Sequence, residues 1–296
     1  MKPEVTLGIC VRNCERFIGE AIDSIMTQDY PHDKIRLVFI DESDDGTLSI
    51  IQDYAKRIDI ESIVLHVTSK KGLGAARNMV LANSKGDYVL WVDGDMVISP
   101  VFLRKLVEFM EKNPRAGIVK GKQALLPGLN LLATLELFTR AAGRMVDYQS
   151  QKGLNKVVGT AGALYRTKAI AQLGGFDPEL KYYNEDWDAE IRLSKAGWSR
   201  HTLDVTYHDY ERHGLTWGSL WQKYWIRGYY TRPFLSKHEG LIKHYRMFPP
   251  AAFLAGLLSS FKLFRLTRKK AVFLIAFPKL FKMTAWYLGF FRHRVG

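Results

Sequence analysis

Two pairs of aspartates share the same spacing in this sequence, Asp93-Gly-Asp95 and Asp186-Trp-Asp188. The first pair directly follows the apolar run Tyr88–Val92, which predicts a buried strand. Two carboxylates at the end of a strand can share a divalent cation with a bound diphosphate, and such hard oxygen ligands select Mg²⁺ or Mn²⁺. The alternative for this pair is a turn whose acids cap the next helix. Asp93 and Asp95 are therefore candidate metal ligands.

Asp41 ends a second apolar run, Ile35–Ile40, and opens the segment Asp-Glu-Ser-Asp-Asp-Gly-Thr. The end of that segment is explained by local structure, because Gly46 suits a tight turn and Thr47 can cap a helix. Neither role accounts for Asp41. At the end of a strand it lies where a nucleobase or ribose would dock.

Small residues surround a third candidate, in the segment Gly72-Leu-Gly74-Ala-Ala-Arg77-Asn78. Small side chains let the backbone come close to a ligand, and Arg77 on the first turns of a helix could face a pyrophosphate. The glycines do not match the dinucleotide fingerprint, which needs them at the first strand-helix turn.

Alternating strands and helices are predicted to position these residues. In the first half of the chain, short apolar runs that predict strands alternate with helically spaced segments. The predicted strands are Val5–Val11, Ile35–Ile40, Ser62–Val67 and Tyr88–Val92, and the predicted helices are Phe17–Gln28, Thr47–Arg57 and Gly74–Ser84. This order predicts an α/β fold, with a mostly parallel sheet and helices on both faces. Ligands of such sheets bind at the carboxyl ends of the strands.

The pattern is less regular after residue 115. Long helices are predicted over Leu129–Gln149 and Trp217–Tyr230, and a helix with an acidic first turn over Asn184–Ala196. Strands are predicted over Gly162–Arg166 and Thr202–Tyr207.

The net charge of +13 is concentrated at the C-terminal end. Residues 237–296 carry 12 Lys/Arg and one acid, a net +11, and residues 1–236 carry 31 Lys/Arg and 29 acids, a net +2. This distribution predicts a basic C-terminal module and argues against a nucleic-acid-binding body.

The same C-terminal module is strongly apolar. Phe248–Ser260 is an uncharged run of 13 residues, and Ala271–Phe291 is a run of 21 residues that contains Pro278, Lys279 and Lys282. Neither reaches the roughly 18 uncharged residues of a simple membrane-spanning helix. Alternating apolar and basic blocks predict helices that lie in a membrane interface. A short re-entrant or spanning hairpin and a tail packed on the body remain alternatives.

Two cysteines, Cys10 and Cys14, are too few for a disulfide framework. The first residues lead straight into a strand-like run without a secretory signal. Together these features predict reduced thiols in a cytosolic environment.

In this order and spacing, the three segments that carry Asp41, Arg77 and the Asp93-Gly-Asp95 pair resemble the nucleotide-sugar-binding half of glycosyltransferase family 2, which has the GT-A fold. The resemblance covers roughly residues 4–230. It implies that Asn13 and Glu15, after the first strand, and Gly74 contact the nucleotide sugar together with Asp41, Arg77 and Asp93. Asp41 would contact the nucleobase.

The acceptor half of the family is also matched. The matching segments are Gly159–Arg166, Gly175-Phe-Asp177, Asn184–Asp188 and Arg192–Gly197. The resemblance implies that Asp186, with Glu185 beside it, is the general base of an inverting transfer. An acceptor hydroxyl must lose its proton as it attacks the anomeric carbon, and a carboxylate within hydrogen-bond reach can take it. The alternative is an acidic first turn that complements the helix dipole.

His208 matches the position where many relatives carry a metal-binding or phosphate-contacting histidine, and His213 competes with it. The segment Trp221-Gln-Lys-Tyr-Trp225 is similar to the signature of processive synthases such as cellulose synthase, but it lacks the arginine and is one residue short. That departure argues against polymer synthesis. The chain resembles membrane-associated members of the family, both the synthases of dolichyl-phosphate sugars and a minimal cellulose-synthase-like transferase.

The resemblance and the tail together lead to one expected function. It is an inverting transfer of a hexose, dependent on Mn²⁺ or Mg²⁺, from a GDP- or UDP-sugar to a polyprenyl- or dolichyl-linked acceptor at the cytoplasmic membrane face. Analogy with lipid-linked glycan assembly favours mannose from GDP-mannose. The expected division is a donor half over residues 1–115, an acceptor half over 116–236 and a membrane-associated tail over 237–296.

Three alternatives stay open at this point. One is a dolichyl-phosphate hexose synthase, whose lipid phosphate acceptor is already deprotonated and hardly needs a base. Another is a metal-dependent nucleotidyltransferase or phosphohydrolase, which would leave the Glu185-Asp186 helix unexplained. The last is a catalytically silent adaptor at the membrane surface, against which the retained acidic residues argue.

Overall fold

A computed structural model describes residues 2–69, 71–141, 157–209, 213–240 and 248–292. Its chain forms two compact units by internal contacts, which are described separately. Unit 1 comprises Met1–Lys122 and Asp147–Asp209, and unit 2 comprises Gln123–Val146 and Tyr210–Gly296.

Eight strands form one mixed sheet. In chain order they are β1 (Val5–Val11), β2 (Ile35–Asp41), β3 (Glu61–His66), β4 (Tyr88–Trp91), β5 (Val97–Ile98), β6 (Ala116–Gln123), β7 (Ala163–Arg166) and β8 (Ser199–His208). The spatial order is β3-β2-β1-β4-β7-β6-β8-β5. Pairing is parallel from β3 to β4, and it is antiparallel for β4–β7, β6–β7 and β5–β8. The prediction of a parallel sheet is therefore confirmed for the first half of the chain, whereas the second half adds antiparallel strands.

Helices of unit 1 cover both faces of this sheet. They are α1 (Ile18–Met26), α2 (Thr47–Ala55), α3 (Leu73–Ala82), α4 (Phe102–Lys112), α6 (Thr167–Gln172) and α7 (Glu185–Lys195). One apolar core is formed by side chains on one face of β1, such as Leu7 and Ile9, which pack against α1 and α4. The core on the opposite face contains Val38, Val80 and Trp91, against α3 and α7. Strands buried on both sides explain why the predicted runs are continuously apolar.

Gly8 lets α3 pack directly on the centre of the sheet. A Cβ on this residue would lie 2.6 Å from Cγ1 of Val80 and 2.8 Å from the Trp91 ring. Any side chain at Gly8 would therefore push α3 outward. The close contact fixes the position of the helix that carries Arg77.

The described residues of unit 2 form the helices α5 (Leu131–Ala141), α8 (Trp217–Lys237), α9 (Pro249–Thr267) and α10 (Ala276–Arg292), and a 3-10 turn over Lys270–Ile275. The helix predicted over Leu129–Gln149 is confirmed to residue 141, and its remainder lies outside the described residues. A Cβ on Gly228 of α8 would overlap the backbone of Trp286, and one on Gly289 would overlap the backbone of Trp225. The two helices thus pack backbone against backbone.

Within the described residues, one helical segment is long and apolar enough to cross a membrane by length and composition, Lys270–Arg292. Its most apolar window has a mean hydropathy of 1.3, and 39% of that window is buried inside the protein. By sequence alone, the run Ala271–Phe291 does not reach roughly 18 consecutive uncharged residues, because Lys279 and Lys282 interrupt it.

Candidate active site

Most of the predicted donor-side residues lie along one edge of the sheet. Strands β2, β1 and β4 are adjacent and parallel, and Val11 at the end of β1 is level with Asp41 at the end of β2. The loops that leave these strands carry Asn13, Glu15, Asp93 and Asp95. Segments that are far apart in sequence therefore end at the same place.

Asp41 has no exposed surface, and its two carboxylate oxygens differ in environment. Oδ2 accepts a hydrogen bond of 2.7 Å from Nδ1 of His66, the last residue of the neighbouring strand β3. Oδ1 is buried and has no hydrogen-bond partner among the described residues. A buried acceptor left unpaired is costly, so a hydrogen-bond donor at Oδ1 would be favourable. Sequence reasoning selected Asp41 but missed His66.

Asn13 and Glu15 brace the loop that follows Asp41. The Asp44 N–H donates to Oδ1 of Asn13 at 2.9 Å, and the Gly46 N–H donates to Oε2 of Glu15 at 2.9 Å. Asn13 itself has a positive φ of 54°. Both side chains therefore shape the wall beside Asp41. Their predicted contact with the nucleotide sugar stays a prediction.

Asp93 and Asp95 lie on either side of Gly94, where the backbone comes close to the end of β1. A Cβ on Gly94 would lie 2.5 Å from Val11 and 3.3 Å from Sγ of Cys14, so this loop is pressed against the end of β1. Burial, followed by the charge of Asp95, raises the pKa of Cys14 to about 11. The two carboxylates thus lie beside the β1 loop, and Cys14 is a neutral thiol at physiological pH.

The carboxylate oxygens at this site suit a divalent cation, but the protein supplies only part of the ligands that such an ion needs. Among the described residues, no group of three or more His, Cys, Asp or Glu side chains is arranged to hold a metal ion. The predicted set of Asp93, Asp95 and His208 is therefore not assembled as a cluster. His208 ends β8 and pairs with Val97 of β5, two residues beyond Asp95, so it lies at the neighbouring strand end. If Asp93 and Asp95 held a cation, its other ligands would have to come from a bound diphosphate and water.

Arg77 is buried and joins the two halves of the site. Its Nη1 donates to Oε1 of Glu185, 108 positions away, and its Nη2 donates to Oγ1 of Thr160 at 2.6 Å. The guanidinium carbon lies 5.8 Å from the ring centroid of Trp91 and 5.5 Å from that of Phe176. Arg77 therefore positions Glu185, and its predicted contact with a pyrophosphate stays a prediction.

The surroundings of Arg77 show that the acidic segments converge. Burial opposes its charge, but Glu185, Asp186 and Asp93 outweigh it and raise the pKa of Arg77. Burial also raises the pKa of Glu185, to about 7, although Arg77 acts in the opposite direction. The carboxylates after β4 and at the start of α7 thus act on one cation.

Position 74 on α3 requires a glycine because another segment of the protein lies directly against it. A Cβ there would lie 2.7 Å from the carbonyl oxygen of Asp177 and 3.5 Å from Cβ of Glu185. The close approach expected for a ligand is made here by another part of the chain. Contact between Gly74 and a nucleotide sugar stays a prediction.

Asp186, the predicted base, is half-buried in the first turn of α7. Its Oδ1 accepts from the Trp187 N–H at 2.8 Å, and its Oδ2 would lie 3.6 Å from a Cβ on Gly159. Nζ of Lys120 would lie 3.2 Å from the same position, and it donates to the Val158 carbonyl at 2.6 Å. A cation missed by sequence reasoning therefore lies near the candidate base.

Glu190, one turn along α7 from Asp186, anchors the adjoining loop. It accepts from the backbone N–H of Val158 at 2.8 Å, from that of Gly159 at 2.6 Å and from Arg200 at 2.9 Å. Its side chain is fully buried. The loop that carries Thr160 is thereby fixed against the helix that carries Asp186.

A family model decides what kind of protein this is. The model named "Glycosyl transferase family 2" matches residues 6–174. The chain belongs to glycosyltransferase family 2. Its match spans β1 to α6 and includes Asp41, Arg77 and Asp93.

Two relatives show the range of the family. A poly-β-1,6-N-acetyl-D-glucosamine synthase of Staphylococcus epidermidis is 26% identical over 222 residues, which is 71% of this chain and 51% of the relative. A poly(ribitol-phosphate) β-glucosyltransferase of Bacillus spizizenii is 30% identical over 128 residues, which is 43% of this chain and 20% of the relative. The chain spans about half the length, or less, of such curated relatives.

Solved structures agree on the fold. A mannosyltransferase from Pyrobaculum calidifontis, in complex with GDP-Man and Mn²⁺, has a TM-score of 0.68 at 18% identity and covers 99% of this chain and 88% of its own. TarS 1–349 of S. aureus, in complex with UDP-GlcNAc, has a TM-score of 0.57 at 17% identity and covers 97% of this chain and 90% of its own. At these identities the likeness establishes the GT-A fold.

Proposed function

We propose that this glycosyltransferase moves a hexose, with inversion, from a nucleotide sugar to a lipid-linked acceptor and uses Mn²⁺ or Mg²⁺. The observation that carries the proposal is the hydrogen bond from buried Arg77 to Glu185, which brings the start of α7, with Asp186, to the helix that carries Arg77. The charges of Asp186 and Asp93 also raise the pKa of Arg77. Carboxylates from the donor side and from the acceptor side then serve one reaction centre.

Each residue has one task in the proposed reaction. Asp41 accepts an N–H of the base, and Asp93 and Asp95 hold the cation with the diphosphate. When bound there, the cation would supply positive charge to stabilise the departing nucleoside diphosphate. Asp186 takes the proton of the acceptor hydroxyl as its oxygen attacks the anomeric carbon. His208 would reach the diphosphate from the end of β8.

The donor is a GDP- or UDP-hexose. We favour mannose from GDP-mannose, because the mannosyltransferase of the same fold was solved with GDP-Man and Mn²⁺. TarS, solved with UDP-GlcNAc, supports the uridine alternative. A screen of nucleotide sugars with Mn²⁺, read by product mass, separates the two.

The acceptor is a polyprenyl- or dolichyl-linked glycan at the cytoplasmic face of the membrane. The apolar, basic C-terminal region supports a lipid-linked acceptor. A dolichyl-phosphate hexose synthase is the second candidate, since Lys120 provides a cation near Asp186 that would suit a phosphate acceptor. Family membership does not support a nucleotidyltransferase or a silent adaptor.

Asp186→Asn tests the proposal and separates the two acceptor classes. Removal of a general base lowers the rate of transfer to a sugar hydroxyl by about 10²–10⁴-fold. Transfer to a lipid phosphate, which has no proton to lose, would stay near normal. Asp204→Asn is the matched control, because that carboxylate is exposed on β8. Wild-type transfer to a hydroxyl by Asp186→Asn would reject Asp186 as the base.

A further inference from the structure

Exposed apolar side chains are distributed very unevenly over the described residues. Of the seventeen large hydrophobic side chains that are exposed, only Val101, Val157 and Tyr182 lie in unit 1. The other fourteen lie in unit 2. Single exposed apolar residues are ordinary, but such a concentration marks an interaction surface.

The helix α9 shows how this surface is built. Leu254, Leu257, Leu258 and Phe261 are all exposed, and their spacing of i, i+3, i+4 and i+7 puts them on one face. The opposite face is buried and made largely of small residues, Ala252, Gly256, Ser260 and Leu263. Helix α9 is thus held in unit 2 by one face and presents an apolar stripe on the other.

Cations continue the stripe. Arg265 follows Phe261 by four residues and is exposed, as is Lys262 beside it. Residues 248–292 contain eight Lys/Arg and no Asp/Glu. An apolar stripe in a segment whose charged residues are all cations matches a surface of acyl chains under anionic headgroups. A second copy of this face would bring cations against cations, which disfavours a symmetric dimer through it.

Part of the apolar segment Lys270–Arg292 packs inside unit 2. Lys282 of α10 is buried, and its Nζ donates to Oε2 of Glu136 on α5 at 2.6 Å. Gly289 packs on the backbone of α8, and Gly256 of α9 lies against Ala276 at the start of α10. Helix α10 therefore contacts α5, α8 and α9 along its buried side, whereas its Phe277, Leu288 and Phe291 are exposed. It is held by contacts that a lone spanning helix would lose.

We propose that unit 2 docks on an anionic lipid bilayer through the exposed face of α9, which lies flat in the interface and does not cross it. Leu254, Leu258 and Phe261 enter the acyl region, and Lys262 and Arg265 contact the headgroups. The inference names the surface and the mode of membrane association. It stands independently of sugar transfer, since its test measures binding alone.

Vesicle flotation of the full-length protein tests the proposal. We expect roughly tenfold or stronger binding to phosphatidylcholine vesicles that contain phosphatidylglycerol than to vesicles of phosphatidylcholine alone, and weaker binding at high salt. Leu258→Gln/Phe261→Gln should weaken binding to both vesicles by about tenfold or more. The matched control is Val101→Gln/Tyr182→Gln, two exposed apolar residues of unit 1. Equal binding by both double variants would overturn the proposal.

A charge variant tests the headgroup contacts separately. Lys262→Gln/Arg265→Gln should remove most of the preference for anionic vesicles, whereas Lys105→Gln/Lys112→Gln on α4 should keep it. Both pairs are exposed and remove the same charge. Retention of the anionic preference by the α9 variant would contradict the assignment of these cations.

Two further results would overturn the proposal outright. Protein that stays in membranes after an alkaline carbonate wash would be spanning rather than docked at the surface. The other is a dimer in light scattering that Leu258→Gln/Phe261→Gln converts to a monomer without weakening vesicle binding. A second copy of the chain would then cover the stripe. Release by carbonate and an unchanged oligomeric state support docking.

Discussion

At the scale of single residues, the Asp41–His66 pair fixes part of the hydrogen bonding of a buried carboxylate at a strand end. Nδ1 of His66 donates to Oδ2 of the fully buried Asp41 carboxylate. Oδ1 of Asp41 is then the oxygen left to accept a further hydrogen bond. A donor on Nδ1 also fixes the tautomer, so that Nε2 of neutral His66 is an acceptor. The pair therefore presents a defined set of hydrogen-bonding atoms to a base.

His66→Ala should weaken binding of the nucleotide donor. A hydrogen bond to a charged group is worth about 1.5–3 kcal/mol, so the Kd should rise by roughly tenfold or more, with little change in kcat. Titration calorimetry with UDP and GDP gives the measurement. His66→Gln, which can still donate to Asp41, should recover part of the loss. His32→Ala removes a surface His–Asp pair and is the control; an equal effect there would contradict the role of His66.

Glu190 should give the stability a distinctive pH dependence. Burial, followed by the charge of Asp186, raises the pKa of Glu190 from 4.5 to about 7. Between these values the native state binds a proton that the unfolded state releases. Stability from this group is complete below about pH 4.5 and is lost as the pH rises through about 7, with a slope up to about 1.4 kcal/mol per pH unit.

Urea unfolding at several pH values between about 5 and 8 measures that slope. In Glu190→Gln the slope should fall but not vanish, because Glu185, whose pKa is also raised to about 7, contributes over the same pH range. The exposed Glu20→Gln should retain it. A Glu190→Gln protein with the wild-type slope would show that another group takes up the proton.

Sequence reasoning found the residues that follow apolar runs and missed those defined by tertiary contacts. Asp41 and Asp93 are the polar residues that follow buried strands, so their place at the sheet edge is readable from pattern alone. The link from Arg77 to Glu185 crosses 108 positions, and no local pattern signals it. His66 ends a strand with exposed ends and half-buried centre, where a histidine resembles an ordinary surface residue.

At the scale of elements, the parallel half was predictable and the antiparallel half was less so. Strands β1, β2 and β4 are buried on both faces, which gives continuous apolar runs. Strand β6 was missed because its sequence, AGIVKGKQ, mixes glycine and lysine. Gly117 lies against Trp198, and Gly121 lies against Phe102. These large rings fill the space that apolar side chains of β6 would otherwise occupy. The two-residue strand β5 is too short to leave a periodicity.

The Lys282–Glu136 pair should be decisive for the packing of α10 against α5. Burial opposes the charge on each partner, but the attraction between them lowers the pKa of Glu136 and raises that of Lys282. Lys282→Met leaves a buried, uncompensated carboxylate and should destabilise unit 2 by about 3–5 kcal/mol. The measurement is the urea midpoint, together with hydrogen exchange of α10.

A second variant distinguishes loss of the ion pair from loss of packing. Glu136→Gln/Lys282→Met removes both charges and keeps an acceptor for the Tyr224 hydroxyl, which donates to Glu136 at 3.1 Å. It should therefore be more stable than Lys282→Met alone. If the double variant were the less stable of the two, the lysine stem rather than the charge pair would hold α10.

At the scale of the whole molecule, the C-terminal region is part of a larger unit rather than an appended tail. Unit 2 takes residues 123–146 from the middle of the chain and joins them to the segment from Tyr210 onward. The sequence predicts a boundary at 236/237, because charge and composition change there. Composition marks what a surface faces, whereas a folding unit is defined by contacts between distant segments. The predicted donor half, acceptor half and tail stay predictions about function.

Truncation after residue 236 separates these two divisions of the chain. The shortened protein lacks α9 and α10, so Glu136 loses Lys282 and α8 loses the helix that packs on Gly228. We expect α5 and α8 to lose protection from hydrogen exchange by about tenfold or more, while β1 and β2 in unit 1 keep theirs. Mass spectrometry of peptides from both units provides the comparison within one sample. If α5 and α8 stayed as protected as in the full chain, residues 237–296 would be a dispensable appendage, and the boundary read from composition would also be the boundary of the fold.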